Sequence, residues 1–452
     1  MKHHLDWSSY ETAGQGDAYA GIPATGGDFA KAVAVCISDK LCQRKPKGVM
    51  CPSYRVTDDP AQSPGGRVLA LKAALNGELG DQPFIHPQLA EAMDLCVGCK
   101  GCKRECANSV DMAAIKIEYQ AQRNAVSGVP LRDRLFAGLP RWLQYRGLVL
   151  RLVAWRNGSP LLKALGEKWL GVSARRQLPQ PSPRAYAAPV SLAGSNDKPV
   201  YLFVDTFARH FEPAIAEAAH AVLSAAGYQV RVLDPAPDDR EPGKPLCCGR
   251  TYLSLGQVDE ARREAARMLE ALRPALESGI PVVGLEPSCI LSLRDEHLKL
   301  GLGDAAQALA KQVYLFEEFI AREHDRKHMN LNLKAIRRPK TLVHGHCHQK
   351  AVGAMKSLRK VLRLIPGLEF EFIEASCCGM SGSFGLDAEH RDISLQMAEA
   401  DLLPAVRAAG EDTVLMANGF SCRHQIEEGA GRKPVHVAVL LREALADVSE
   451  PA

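Results

Sequence analysis

Short apolar runs and amphipathic stretches alternate along the second half of the chain. The run VYLFV at 200–204 is followed by AIAEAAHAVLSAAG at 214–227, where apolar residues recur at helical spacing. Short buried strands that alternate with helices are typical of a parallel sheet with helices on its faces. The pattern therefore predicts an α/β fold for this half.

Before this half the apolar spacing is helical, most clearly in RWLQYRGLVLRLVAW at 141–155. We interpret this stretch as a helix that packs in the core or bridges two domains; a surface that docks on a membrane or a partner is the alternative. Four prolines between 178 and 197 then predict an extended linker, because proline fixes φ and lacks an N–H donor. The N-terminal part is expected to be all-α.

The α/β half also repeats itself. PLCCGRTYLSLG (245–256) matches ASCCGMSGSFG (375–385), and PVVGLEPSC (281–289) matches TVLMANGFSC (413–422). The members of each pair are separated by roughly the same length of chain, as expected for an internal repeat. The sequence therefore predicts two tandem copies of one α/β unit.

Composition narrows the function classes. The 452 residues carry a net charge of +4, and the chain has no dense basic run or nucleic-acid motif, so a nucleic-acid partner is not expected. The N-terminus lacks a secretory signal and no apolar stretch is long enough to cross a membrane. We expect a cytoplasmic protein, either free or peripheral at the inner membrane. In that reducing compartment its 14 cysteines are expected to be metal ligands rather than disulfides.

One cysteine group has the spacing C-x2-C-x2-C-x3-C, within DLCVGCKGCKREC at 94–106. Three thiolates from such a tight loop hold one [4Fe-4S] cluster, and the fourth usually binds the other cluster of a pair. We therefore assign Cys96, Cys99 and Cys102 to one cluster. Structural zinc is the alternative, although zinc motifs rarely place four cysteines so close together.

The preceding group, VCISDKLCQRKPKGVMCPSY, resembles the same motif with Asp39 at its second cysteine. Cross-pairing would give Cys51 to the cluster of the C-x2-C-x2-C loop and leave Cys36, Cys42 and Cys106 for a second one. The fourth ligand of that second cluster is then Asp39, water or another oxygen. The alternative is that the second cluster is absent, so the sequence predicts one or two [4Fe-4S] clusters.

Each α/β unit carries a CCG turn, at which two adjacent thiols can face one metal. In the second unit, thiols from the turn and from two strand ends are expected to converge on a further cluster or metal site, as ligand sites do in open parallel sheets. The residues are Cys347, Cys377, Cys378 and Cys422.

The first unit keeps the cysteines Cys247, Cys248 and Cys289, but Asp205, Thr206 and Phe207 follow its first strand where the second unit has Cys347. We expect a vestigial or interface role for these three thiols; a metal site is the alternative.

The segment HGHCHQ offers a competing zinc site through His344, His346 and His348 with Cys347. Alternating side chains on one strand and loop face opposite ways, so at most two of these histidines could share a site with the thiol. We expect them to form hydrogen bonds around a thiolate site instead.

Taken together, CISDKLC, VMCPSYRVTDDP, DLCVGCKGCKREC and the two CCG turns resemble the C-terminal iron-sulfur half of FAD-linked D-2-hydroxy-acid dehydrogenases of the D-lactate and D-2-hydroxyglutarate type. They are also similar to the glycolate oxidase iron-sulfur subunit and to the CCG domains of heterodisulfide reductase. The resemblance spans residues 27–445. Within SPGGRVLALKAAL the chain departs from the family pattern Ser-x-Arg-Gly-Arg, because Gly65 stands at the first arginine.

The resemblance implies a ferredoxin-like 2x[4Fe-4S] domain followed by two CCG units. The expected domains are an N-terminal extension (1–30), a ferredoxin-type domain (31–125), a helical connector (126–177), the linker (178–197) and the two units (198–325 and 326–448).

The family's flavin half has no counterpart in this sequence, so FAD is expected on a partner chain. The implied function is electron transfer from this FAD-containing 2-hydroxy-acid dehydrogenase subunit to a quinone, a cytochrome or another acceptor. A heterodisulfide-reductase-like enzyme and a non-catalytic metal scaffold are the alternatives, and the sequence assigns no catalytic residue.

Overall fold

The computed structural model describes residues 1–13, 21–44, 48–189, 198–338 and 340–446. Part of the predicted extension (14–20), the end of the predicted linker (190–197) and the last residues of the second unit (447–448) therefore lie outside the described residues. Within the described chain, no helix combines the length and apolarity needed to cross a membrane.

The N-terminal part is helical, as predicted. Its helices are α1 (Gly27–Ala34), α2 (Pro52–Thr57), α3 (Pro64–Leu75), α4 (Pro87–Asp94), α5 (Gly101–Glu105) and α6 (Met112–Ser127). The helix starts follow local chemistry: Ser63 caps α3 by accepting a hydrogen bond from the N–H of Gly66 at 3.1 Å, and proline occupies the first position of α3. Asp111 caps α6 in the same way.

The connector contains α7 (Leu131–Ala137), α8 (Leu139–Trp142), α9 (Arg146–Gly158) and α10 (Pro160–Leu170). The predicted single helix over 141–155 is therefore interrupted, by a 3-10 turn at Leu143–Tyr145. Neither α9 nor α10 buries a residue, so within 141–155 only Leu143, in the 3-10 turn, packs in the core. The described part of the linker forms no helix or strand, and Tyr186 donates its N–H to the carbonyl of Arg209 at 2.8 Å.

The first α/β unit contains a parallel sheet in the order β2-β1-β3-β4. Its elements are β1 (Pro199–Phe203), α11 (Thr206–His210), α12 (Pro213–Ala225), β2 (Gln229–Val232), α13 (Arg250–Leu253), α14 (Val258–Glu277), β3 (Val282–Gly284), α15 (Pro287–Ile290), α16 (Gly303–Gln312), β4 (Val313–Leu315) and α17 (Phe316–Asp325).

The second unit contains a parallel sheet in the order β6-β5-β7, which repeats the β2-β1-β3 arrangement of the first. Its elements are β5 (Lys340–His344), α18 (Cys347–Ala351), α19 (Met355–Leu362), β6 (Glu369–Phe372), α20 (Arg391–Glu399), α21 (Leu402–Ala408), β7 (Val414–Ala417), α22 (Phe420–Ala430) and α23 (Val437–Ala444). The predicted α/β fold with an all-α N-terminal part is confirmed.

The two units share one buried core, in which α12 of the first packs against α23 of the second. The cysteine loop of the ferredoxin-type domain contacts both units, because α5 packs against α18 while side chains of the first unit bind the same loop. The fold therefore brings the separate cysteine groups of the sequence toward one region.

Candidate metal centres

Four thiols surround one small cavity in the interior of the ferredoxin-type domain, which we call the central site: Cys51, Cys96, Cys99 and Cys102. All four cysteines are buried. Burial raises the pKa of Cys99 and Cys102 well above the ordinary value, and the negative charge of neighbouring thiolates raises it further. Four crowded thiolates would therefore be stabilised by a cationic core, which is the donor set and the setting that a [4Fe-4S] cluster requires.

Arg67 on α3 lies beside this site and is 1% exposed. Its Nη1 donates to Cys51 Sγ at 3.4 Å, its Nη2 to Ser53 Oγ at 2.8 Å and its Nε to the Ala92 carbonyl at 2.8 Å. Burial alone would lower the pKa of Arg67, but the charges of Cys96 and Cys51 raise it above the ordinary value. The guanidinium thus places a fixed positive charge against the thiols, as an anionic iron-sulfur cluster favours.

Three half-buried thiols form a second group, the outer site: Cys36, Cys42 and Cys106. Burial raises the pKa of Cys36, and the charges of Cys106 and Asp39 raise it further. Burial also raises the pKa of Cys42, and the charges of Cys36 and Cys51 raise it further. The three outer-site thiols pack against the buried cluster that contains Cys51, Cys96 and Cys102, and they are more exposed to solvent than those thiols.

The four cysteines of the second α/β unit converge as predicted on one place, the CCG site: Cys347, Cys377, Cys378 and Cys422. All four are buried. Hydrogen bonds from Cys347 and Cys378 lower the pKa of Cys377 well below the ordinary value, so one thiolate is favoured within the group. A set of four thiols with one thiolate already favoured fits a metal or cluster.

A buried ammonium also faces the CCG site. Lys350 donates its Nζ to the carbonyls of Ala375 and Ser376 at 2.5 and 3.1 Å. Burial lowers the pKa of Lys350, while the charges of the four CCG-site thiols raise it. This cation offsets part of the negative charge that a thiolate-bound metal would bring into the interior.

The predicted zinc alternative requires histidine nitrogens at this place. His346 lies beside the CCG site, because Gly419 is packed against both the His346 ring and the Cys422 sulfur. A Cβ added at Gly419 would lie 2.4 Å from His346 Cδ2 and 3.2 Å from Cys422 Sγ. However, His346 Nδ1 accepts the N–H of His348 at 3.1 Å, and His348 Nε2 bonds to the Gly98 carbonyl at 3.2 Å. Among the described residues, neither ring nitrogen of the buried His344 has a hydrogen-bond partner.

The CCG site adjoins the central site directly. Three side chains of the second unit bond to carbonyls of the cysteine loops: Ser376 Oγ donates to Val49 at 2.5 Å, Ser381 Oγ donates to Val97 at 2.7 Å, and His348 bonds to Gly98. Cys99 belongs to the same buried cluster as the four thiols of the CCG site. The sequence-predicted thiols of these two sites therefore form one continuous buried region.

The thiols of the first unit also converge, but in an acidic setting. Although a hydrogen bond with Cys248 lowers the pKa of Cys289, burial and the neighbouring carboxyls of Asp205 and Glu286 raise it to about 12. Asp205 caps α11, so that Thr206 takes the first helical position that Cys347 takes in α18. Three thiols beside two carboxyls are poorly suited to an anionic cluster, since like charges disfavour one another.

Ion pairs between the first unit and the cysteine loop also hold the central site in place. Lys100, 5% exposed, donates to Glu296 at 2.7 Å and to Asp295 at 2.9 Å. Arg250 of the CCG turn pairs with the same Glu296 at 2.8 Å. The first unit therefore holds the cysteine loop in place through charge pairs.

A cavity of about 720 Å³ opens next to Cys96 and is lined by helices α4 and α6 and by the second unit. His390 lies in its wall, where it bonds to Asp94 at 2.9 Å and to Asp387 at 3.2 Å. Burial lowers the pKa of His390, but these two carboxylates raise it to about 9. Sequence reasoning missed Arg67, Lys350 and His390, because none of them lies within a cysteine motif.

Comparison with known proteins supports this account of the cysteines. Residues 32–110 match the family model of the 4Fe-4S dicluster domain, and residues 341–427 match that of the cysteine-rich domain called CCG. The first match contains the cysteines of the central and outer sites, and the second contains those of the CCG site. The expected 4Fe-4S cofactors are therefore confirmed.

Three relatives illustrate the range of similar proteins. A subunit of the anaerobic glycerol-3-phosphate dehydrogenase of Escherichia coli (strain K12) is 29% identical over 282 residues, which are 61% of this chain and 68% of that protein. D-2-hydroxyglutarate dehydrogenase of Pseudomonas putida is 25% identical over 467 residues, 90% of this chain and 43% of that protein. Lactate utilization protein A of Bacillus subtilis is 26% identical over 248 residues, 53% of this chain and 95% of that protein.

The chain thus spans less than half the length of the D-2-hydroxyglutarate dehydrogenase that it matches. The resemblance carried by the cysteine motifs is confirmed: the chain contains a 4Fe-4S dicluster domain and a CCG cysteine-rich domain, and it is similar to D-2-hydroxyglutarate dehydrogenase, to lactate utilization protein A and to a subunit of anaerobic glycerol-3-phosphate dehydrogenase.

Proposed function

We propose that this chain is the electron-transfer component of a flavin-dependent dehydrogenase that oxidises a 2-hydroxy acid. The observation that carries the proposal is the contiguity of the thiol sites. The three outer-site thiols pack against the buried cluster that contains Cys51, Cys96 and Cys102, and Cys99 shares a second buried cluster with the four CCG-site thiols. When bound, [4Fe-4S] clusters accept and release one electron at a time, which suits a relay between a flavin and a one-electron acceptor.

The residues around the thiols support such a relay in two ways. The central and CCG sites are buried and so exclude water, and each has one cation, Arg67 or Lys350, that favours negative charge nearby. The half-buried outer site, with Cys36 and Cys106, leaves an edge that a partner protein can approach. A protein sets the reduction potential of a cluster by burying it and by forming hydrogen bonds to its sulfur atoms.

The names of the relatives suggest the substrate class. D-2-hydroxyglutarate dehydrogenase and lactate utilization protein A point to 2-hydroxy acids, and the subunit of anaerobic glycerol-3-phosphate dehydrogenase points to a secondary alcohol of another kind. All three substrates lose a hydride from a carbon that bears a hydroxyl group, which is chemistry for a flavin rather than for a cluster. We infer an FAD-containing partner subunit and a downstream acceptor such as a quinone or a cytochrome.

The test is substrate-driven reduction. The full chain is purified without oxygen together with its copurifying flavoprotein, and D-2-hydroxyglutarate, D-lactate, glycolate or glycerol 3-phosphate is added. We expect one 2-hydroxy acid to bleach the flavin first and the broad cluster absorbance afterwards, and the chain alone to stay oxidised. Bleaching by glycerol 3-phosphate alone would overturn the 2-hydroxy-acid assignment, and flavin reduction that never reaches the clusters would overturn the relay.

A heterodisulfide-reductase-like activity predicts a different result. If the CCG site reduces disulfides, turnover with a disulfide should occur and should be lost in Cys378→Ser. A purely structural role predicts zinc and no acid-labile sulfide in anaerobically prepared protein.

We further propose that helices α9 and α10 bind the surface of an anionic membrane. The two helices contact each other and present apolar side chains to solvent, with Trp155 65% and Trp169 75% exposed. Residues 139–170 contain six Arg or Lys and one Glu, a net charge of +5, and three of the four tryptophans of the chain. Exposed tryptophans and aliphatic residues among basic side chains are typical of a helix that lies in the lipid interface.

Vesicle flotation tests this placement. The full chain should float with vesicles of anionic phosphatidylglycerol and about tenfold less with neutral phosphatidylcholine, because attraction to anionic lipid falls with surface charge. The double variant Trp155→Ser/Trp169→Ser should lose most of the binding and keep its iron content. Binding that is equal on both lipids, or unchanged in the double variant, would contradict the proposal.

A further inference from the structure

The loop that carries Asp39 has the same backbone shape as the loop that wraps the central site. In Cys96-x2-Cys99-x2-Cys102, the residues Gly98 and Lys100 have φ of 57° and 61°. In Cys36-x2-Asp39-x2-Cys42, the equivalent Ser38 and Lys40 have φ of 60° and 56°. Positive φ is uncommon for residues other than glycine, so three such residues at matching positions indicate one shared loop conformation.

The side chains at the middle position make the same contact. Cys99 Sγ accepts a hydrogen bond from the N–H of Gly101, two residues further along the chain. Asp39 Oδ1 accepts the N–H of Leu41, also two residues further along, at 3.0 Å. Asp39 Oδ1 thus occupies, in its own loop, the position that the ligand atom Cys99 Sγ occupies in the loop of the central site.

Asp39 lies between Cys36 and Cys42 in one short loop, so the chain itself keeps its carboxylate near the outer site. The described residues supply three thiols to this site, from Cys36, Cys42 and Cys106, whereas a cubane cluster needs four ligands. Asp39 is exposed at the protein surface, so its oxygens are accessible to a metal.

We infer that Asp39 is the fourth ligand of the outer cluster and binds one of its irons through oxygen. The inference rests on the cluster assignment of the proposed function, but not on the flavin partner. Carboxylate is a harder and weaker ligand for cluster iron than thiolate, so the iron bound by Asp39 is the one that the cluster can lose and regain. The outer site would therefore convert between a four-iron and a three-iron form, whereas the all-thiolate central site would not.

The conversion balances when an oxidant is supplied. [4Fe-4S]²⁺ gives [3Fe-4S]⁺, Fe²⁺ and one electron, and ferricyanide takes that electron to become ferrocyanide. Adding Fe²⁺ and one electron from dithionite restores the four-iron form. The iron–carboxylate bond to Asp39 is the bond that breaks on the protein side.

The test uses the anaerobically purified full chain and counts iron and acid-labile sulfide before and after mild ferricyanide treatment, with paramagnetic resonance of the oxidised protein. The wild type should release about one iron per chain without loss of sulfide and should gain the signal of an oxidised three-iron cluster. Asp39→Cys should release iron at least roughly fivefold more slowly, because a thiolate then holds the fourth corner. Asp39→Ala should already lack that iron as purified.

Asp59→Cys is the matched control, because Asp59 is also exposed and accepts the N–H two residues further along, from Ala61 at 2.9 Å. It should behave as the wild type does. Equal iron release from the wild type and Asp39→Cys, or a wild type that keeps all its iron, would overturn the inference while leaving the proposed electron transfer intact. Protein that contains no iron at all would overturn both.

Discussion

Removing the positive charge of Arg67 should lower the reduction potential of the central cluster. Arg67→Met keeps an unbranched side chain of similar length but removes the guanidinium, whose Nη1 lies 3.4 Å from Cys51 Sγ. Reduction adds negative charge beside that cation, so the wild-type cluster is easier to reduce than one without it.

The distance sets the size of the effect. At 3.4 Å and an effective dielectric constant of about 20, Coulomb's law gives about 5 kcal/mol for a full charge on the Cys51 sulfur. An added electron is shared over the whole cluster, so about a fifth to a half of this energy is expected, which corresponds to a shift of roughly 50 to 100 mV.

The assay is a redox titration of the central cluster followed by paramagnetic resonance, in anaerobic protein whose circular dichroism matches the wild type. Arg67→Lys should keep most of the potential, since it keeps the charge. Arg407→Met is the control, because Arg407 pairs with Glu399 at the surface. A potential in Arg67→Met within about 20 mV of the wild type would refute the electrostatic role of the guanidinium.

Three further predictions follow from the buried charges. Lys350→Met should weaken metal binding at the CCG site about tenfold, measured by competition with a chelator, whereas the surface variant Lys360→Met should not. Lys100→Met should cost about 3 kcal/mol in denaturant unfolding, because it leaves Glu296 without its closest cation; unchanged stability would contradict a tight ion pair. The pKa of His390 is raised to about 9 in the folded protein. The protonated imidazole therefore contributes to folding stability fully below pH 6.5, and this contribution is lost as the pH rises through 9. The free energy of unfolding should therefore change between pH 7 and pH 10 by up to about 3 kcal/mol less in His390→Gln than in the wild type. An equal change in the two proteins would contradict this prediction.

The local sequence predicted the strands and the cysteine groups, because strand periodicity and ligand spacing are properties of short segments. It could not predict that Arg67 faces Cys51, since α3 reaches that thiol only after the loops fold back on each other. For 141–155 it favoured core packing or a bridge between domains, whereas the structure buries only Leu143 of this stretch. A sequence pattern cannot say whether apolar side chains meet protein or solvent, and Trp155 is 65% exposed.

The repeat illustrates the same limit. Aligned sequences put Cys247 and Cys248 opposite their partners in the second unit, but only the packed structure reveals that Asp205 and Glu286 surround Cys289. Tertiary contacts thus decide whether three similar thiols sit beside a cation, as in the second unit, or beside carboxyls. The backbone match at two positions between the loops of Asp39 and Cys99 likewise needed φ angles that composition does not reveal.

The most direct test of the electron-relay account is paramagnetic resonance of the anaerobic full chain during stepwise reduction with dithionite, with iron and sulfide counted on the same sample. The account predicts at least two clusters per chain whose signals broaden or split as both become reduced, because the outer-site thiols pack against the buried cluster that contains the central-site thiols Cys51, Cys96 and Cys102. A chain that binds zinc without sulfide, or whose clusters titrate as isolated centres with no magnetic interaction, would contradict it.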